Sequence, residues 1–129
     1  MAQRDAMYDE LMKVYCKVLS ESEVRTQAEA FELTVRHGAS RFFVDPRRAY
    51  QNICPMLRGD YSGIERMKPL RREMYRALYD VVMRLSQKRR FWGKSAYYIV
   101  KFAVMEPAPR FYVDVEMMRK VFRERRGRR

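Results

Sequence analysis

The sequence predicts an all-α protein, with two tandem copies of a three-helix, helix-turn-helix-like unit packed into one compact domain. Three observations lead there. Ala39-Ser-Arg-Phe-Phe-Val-Asp45 returns as Ala108-Pro-Arg-Phe-Tyr-Val-Asp114, with five of the seven positions identical. Upstream, Arg4-Asp-Ala-Met-Tyr-Asp-Glu-Leu-Met-Lys-Val matches Arg71-Arg-Glu-Met-Tyr-Arg-Ala-Leu-Tyr-Asp-Val at Arg, Met, Tyr, Leu and Val. The offsets are 69 and 67 residues, and self-similarity at such a distance marks a duplicated unit of about 55 residues. Finally, apolar residues in the matched segments recur at the i, i+4, i+7, i+11 spacing of one helix face.

Taken in order, residues 4–19 form the first predicted helix, with Met7, Leu11, Val14 and Val18 inward. Ser20-Glu-Ser-Glu23 reads as a turn whose serines cap the next helix start and whose glutamates suit its positive end. That helix is expected from Val24 to Arg36, with Val24, Ala28, Phe31 and Val35 inward. Gly38 is expected to end it in the left-handed conformation. The link at 39–44 is too apolar for a free loop, so its aromatics should anchor in the core. Asp45-Pro46 opens a third helix to about Leu57, since Asp is a favoured N-cap and Pro a favoured first residue. Ala49, Ile53 and Leu57 face inward, and Pro55 is expected to kink or shorten the helix.

The second copy repeats the plan. Leu70 to about Gln87 is its first helix, with Met74, Leu78, Val81 and Leu85 inward, and 88–94 is a joint. Tyr97-Tyr-Ile-Val-Lys-Phe-Ala-Val would suit a strand by residue type. The internal alignment makes Ser95–Met105 a helix instead. Asp114 caps a last helix from Val115 to about Arg125. The predicted division is therefore 1–58 for the first copy, 59–69 for a linker, 70–124 for the second copy and 125–129 for a basic tail. A unit of about 55 residues buries only about 60% of its surface, so the copies are expected to share a core.

Composition narrows the function. The 129 residues carry 28 Lys+Arg against 16 Asp+Glu, a formal charge of +12. Residues 1–60 hold nine of each sign, whereas residues 61–129 hold 19 cations and 7 anions. Such an excess repels itself unless an anionic partner neutralises it, which points to nucleic acid first and an anionic membrane second. No apolar run approaches the ~20 residues needed to span a bilayer. Cys16 and Cys54 lie far apart in apolar contexts and read as two buried thiols in a reducing, cytoplasmic setting. One histidine and two separated cysteines supply neither a zinc site nor a nucleophile–base pair, and no glycine-rich phosphate loop is present. The expectation is a non-enzymatic protein without cofactor or metal.

The candidate binding residues follow from position and type. Arg41 and Arg110 stand beside helix N-termini, where phosphate oxygens are welcome. In three-helix DNA-binding units the helix after the turn enters the major groove, and its first residues meet base edges. In the first copy these are Arg47, Arg48, Gln51 and Asn52, types that read guanine and adenine. In the second copy the equivalent helix offers Glu116, Arg119, Lys120 and Arg123. The eight-residue link is longer than the usual 3–4-residue turn, so the motif would be a variant. Lys88, Arg89, Arg90 and Lys94 interleave with Phe91, Trp92, Tyr97 and Tyr98, a mixture suited to single strands. Arg125, Arg126, Arg128 and Arg129 would add sequence-independent phosphate affinity.

The Ala-Pro-Arg-Phe-Tyr-Val cadence at 108–113, ahead of a capped basic helix, resembles small basic proteins of bacterial prophages and mobile elements. The resemblance implies a context and no catalytic residue. Double-stranded DNA is the expected ligand, and residues 1–58 are left for packing, a protein-partner surface or limited base reading. The alternative is a basic accessory subunit of a polymerase, recombinase or reverse transcriptase that contacts RNA or DNA. Association with anionic membrane ranks third.

Overall fold

Of this computed structural model, residues 2–126 are described, and every regular element among them is helical. Helix α1 spans Ala2–Glu21 and takes up the first half of the expected turn. There the Ser20 hydroxyl donates to the Lys17 carbonyl at 3.0 Å, so it serves its own helix and does not cap the next. Helix α2, Gln27–Arg36, starts later than expected, behind Thr26. Thr26 is extended and accepts from the Glu29 N–H at 3.1 Å, while the Glu29 carboxylate reaches back to the Arg25 N–H. Val24 lies outside the helix, while Phe31 and Val35 face inward as expected. Ala30, Phe31, Thr34 and Val35 are buried and Ala28 is exposed. Thr34 satisfies its hydroxyl on the Ala30 carbonyl at 2.7 Å. The helix ends on an extended His37, and the left-handed glycines are Gly59 and Gly93, not Gly38.

Helix α3 is Pro46–Leu57, with Asp45 accepting from the Arg48 N–H at 3.1 Å. Pro55 falls in its last turn, two residues before the end. The Gly59 N–H donates to Met56 O and the Asp60 N–H to Pro55 O, both at 3.0 Å, with Gly59 at φ +83°. This double closure around a left-handed glycine satisfies carbonyls that the helix end leaves open. The predicted linker is more structured than its turn residues suggest. Asp60 accepts from the backbone and hydroxyl of Ser62, and a four-residue helix, α4 (Ser62–Glu65), inserts Ile64, 2% exposed, into the core. The Ser62 hydrogen bonds hold the Asp60 carboxyl below its usual range.

Helix α5 is Pro69–Ser86 and buries Tyr75, Leu78, Val82 and Leu85. A 3-10 turn at Arg89–Phe91 follows, and α6 covers Ala96–Ala103. Ser95 caps α6 by accepting from the Tyr98 N–H at 3.2 Å, and Ile99, Val100 and Ala103 are buried at helical spacing. The strand propensity of this segment is overridden because a cap and an apolar helical face act together. Helix α7, Val115–Arg126, begins at Asp114, which accepts from the Met117 N–H at 2.8 Å.

The chain forms two compact units, Met1–Ala39 with Pro109–Arg129, and Ser40–Ala108. These cut the chain elsewhere than the predicted 1–58 and 70–124. In the first unit α1 and α2 pack on α7, and in the second α5 and α6 pack on α3. Each pair of helices therefore takes its third from the other predicted copy. The repeated link supplies the physical reason. Phe111 is buried in the first unit and its N–H donates to Val35 O at the end of α2, at 3.0 Å. Phe42 is buried in the second unit and its N–H donates to Val104 O after α6, at 2.9 Å. The first unit centres on Leu11, Phe31 and Met118, with Tyr15, Phe31 and Phe122 in mutual ring contact at 5.4–5.6 Å. The second centres on Ile53, Tyr75, Leu78, Leu85 and Val100.

Candidate nucleic-acid interface

In the first unit the basic residues divide by what they touch. On α7, Arg119, Lys120 and Arg123 are exposed, with Glu116 among them. This division follows from helical phase, since Met118 and Val121 face the core. Arg125 turns the other way. It reaches the Asp9 carboxylate at 2.9 Å and Asp5 at 3.5 Å, with its guanidinium 5.6 Å from the Tyr8 ring centroid. Its side chain is only 18% exposed, so this predicted phosphate ligand instead ties α7 to α1. Arg126 is exposed and lies 5.7 Å from the Phe122 ring. Arg110 donates to the carbonyls of Phe111 at 2.9 Å and Val113 at 3.3 Å, bracing the link ahead of α7. Arg128 and Arg129 lie outside the described residues.

In the second unit, Arg47, Arg48 and Gln51 are exposed on the first turns of α3. Asn52 departs from the expected base-reading set. Its amide nitrogen donates to Arg48 O at 3.1 Å and to the hydroxyl of fully buried Tyr75 at 3.0 Å. Its partner is thus a tyrosine that the sequence placed only by homology with Tyr8. Arg41 lies over the Phe43 ring at 4.6 Å and covers aromatic surface in the link.

The segment from Lys88 to Phe102 separates into core and surface. Phe91 is buried and meets Phe102 at 5.4 Å and Tyr98 at 6.1 Å. Its neighbour Trp92 points outward and is 62% exposed. The indole N–H donates to Gln87 O at 3.3 Å, and the Arg89 guanidinium stands 5.8 Å from the ring. Lys88, Arg89, Arg90 and Lys94 are all exposed. Lys94 lies 5.3 Å from the Tyr98 ring, and Lys101 lies 5.3 Å from Tyr97 and 5.9 Å from Tyr98. Lys101 and Phe102 were absent from the predicted site, although each follows an aromatic by four residues, the spacing of neighbours on one helix face. This part of the unit offers cations beside π-faces.

The thiols differ from expectation. Cys16 is exposed on α1, and Cys54 is half-buried, donating to the Tyr50 hydroxyl at 3.7 Å and accepting from Arg58 Nη1 at 3.5 Å. Both are free, and the bond with Cys54 raises the Tyr50 hydroxyl above its ordinary range. A hollow beside α4 is lined by Tyr61, Glu65, Arg76, Tyr79 and Asp80. There the Tyr61 hydrogen bond raises Tyr79. Among the described residues no group of three or more His, Cys, Asp or Glu is placed to hold a metal ion. Nor is any described helix long and apolar enough to cross a membrane. No family model, curated protein or solved structure matches this chain.

Proposed function

We propose that this chain is a non-enzymatic nucleic-acid-binding protein derived from two copies of a three-helix, helix-turn-helix-like unit. Its third helices and the segment around Trp92 are the surfaces that meet the ligand. The carrying observation is the charge of the second unit. Residues 40–108 contain 15 Lys+Arg and 6 Asp+Glu, a net +9, so six carboxylates cannot neutralise the cations even if every one is paired. The remaining charge is a surplus that an external polyanion would neutralise. Exposed Arg47, Arg48 and Gln51 at the start of α3, and Arg119, Lys120 and Arg123 on α7, have the residue types that grip phosphates and read duplex edges. Support for the two-copy origin comes from the caps, since Thr26 with Ser95 and Asp45 with Asp114 are pairs 69 residues apart.

On this reading affinity falls steeply with salt, with a log–log slope near −0.9 per phosphate contact. Arg119→Ala with Lys120→Ala weakens binding across all sequences and flattens that slope by up to about two contacts. A gel-shift series from low to high salt measures both, and an affinity that stays flat across the series sinks the proposal.

A further inference from the structure

We infer that Trp92 is a stacking platform for an unpaired base, so that the surface around Trp92 favours nucleic acid with exposed bases over blunt duplex. The inference rests on the nucleic-acid reading above and names the ligand class within it. Alternation at the joint sends Phe91 into the core and leaves the large indole 62% exposed. The ring is also held in place. Its only polar group is satisfied by Gln87 O at 3.3 Å, and the chain turns at the next residue, Gly93, at φ +78°. The platform therefore offers a fixed π-face with no polar demand left to meet.

Charge identifies what can use that face. From residue 81 to residue 105 there is no Asp or Glu, while Arg84, Lys88, Arg89, Arg90, Lys94 and Lys101 lie in the same stretch. An acidic peptide could meet the cations but has no reason to need a flat apolar face. A duplex supplies phosphates but keeps its bases stacked inside. A strand with unpaired bases supplies both, because every base has a π-face and each nucleotide carries a phosphate for a neighbouring Lys or Arg. The Arg89 guanidinium 5.8 Å from the ring adds a cation to the stack.

Trp92 is the only tryptophan in the chain, so fluorescence excited on the red side of tyrosine absorption reports on this ring alone. The full chain is titrated with an oligothymidine, with an abasic oligomer of equal phosphate number, and with a blunt duplex. Anisotropy of labelled probes gives affinity independently of the fluorescence. The expected result is quenching by the oligothymidine and binding without quenching by the abasic strand. Trp92→Ala lowers oligothymidine affinity about tenfold, the effect of losing one stacked base, and leaves duplex affinity within about twofold. Trp92→Phe recovers much of the loss. Binding of the oligothymidine without quenching, or equal losses for strand and duplex in Trp92→Ala, overturns the platform while leaving the phosphate grip intact. Failure of all three probes to bind at low salt overturns both. Anionic phospholipid vesicles that shift Trp92 emission to the blue and displace the oligothymidine would assign the ring to a membrane surface and overturn the inference.

Discussion

At the residue scale, several polar side chains singled out for ligand contact serve the fold, Asn52 and Arg125 among them. Asn52 donates to the hydroxyl of buried Tyr75, so Asn52→Ala leaves that hydroxyl without this partner. The expected cost is about 1–3 kcal/mol of stability, measured by urea unfolding, whereas exposed Gln51→Ala costs under about 0.5 kcal/mol. Arg125 contrasts with Arg123 in the same way. Its carboxylate partners are themselves more than half exposed, so the ion pairs contribute little, and cover over Tyr8 adds the rest. Arg125→Ala should therefore destabilise by about 1 kcal/mol while changing nucleic-acid affinity by less than about twofold. Arg123→Ala should show the reverse pattern in the same pair of assays.

At the element scale, the capped starts of α3 and α7 are the features that composition and spacing located best. An Asp followed by a helix-compatible run is a local signal, decided by backbone amides within three residues. Asp45→Ala and Asp114→Ala should each cost about 1 kcal/mol, read as a lower urea midpoint. Charge repulsion with a bound polyanion predicts a second effect for Asp114, which precedes the cationic face of α7. Its neutral variant should lose stability without losing affinity. The inward faces were less legible. For α2 the expected Phe31 and Val35 are buried, but Val24 lies outside the helix and Ala28 is exposed, and Ala30 and Thr34 complete the stripe. For α5 the buried set is Tyr75, Leu78, Val82 and Leu85, which shifts the face towards the aromatic side of the expected stripe. Wide apolar faces such as these admit more than one centre, and the neighbouring helix chooses.

At the scale of the whole molecule, the charge and the division into units change together. By chain order the excess charge belongs to residues 61–129, but in the folded chain the first unit has 13 Lys+Arg against 10 Asp+Glu and the second 15 against 6. The first unit gains its basic face from α7, while the acids of α1 and α2 remain beside it. The division also makes a prediction about fragments. Residues 40–108 are continuous and contain all the helices of their unit, so this fragment should unfold cooperatively and show dispersed amide resonances. Fragments 1–58 and 70–124 each join two helices to a third that packs elsewhere, and both should lack a cooperative transition. Cooperative folding of 1–58 with α3 packed on α1 and α2 would contradict the arrangement of the units.

Helical class, the caps at Asp45 and Asp114, the burial of Phe42 and Phe111 and the cationic surplus were all legible along the chain. Each depends on residues within a turn or two of one another, or on composition alone. Which pair of helices receives α3 and which receives α7 was not legible, because the two links carry nearly the same residues and would satisfy either site locally. The fates of Arg125, Asn52 and Trp92 were equally hidden. Arginine, asparagine and tryptophan can each serve a ligand or the fold, and the choice depends on long-range neighbours such as Asp9 and Tyr75, or on the single step from Phe91 to Trp92 that separates core from surface.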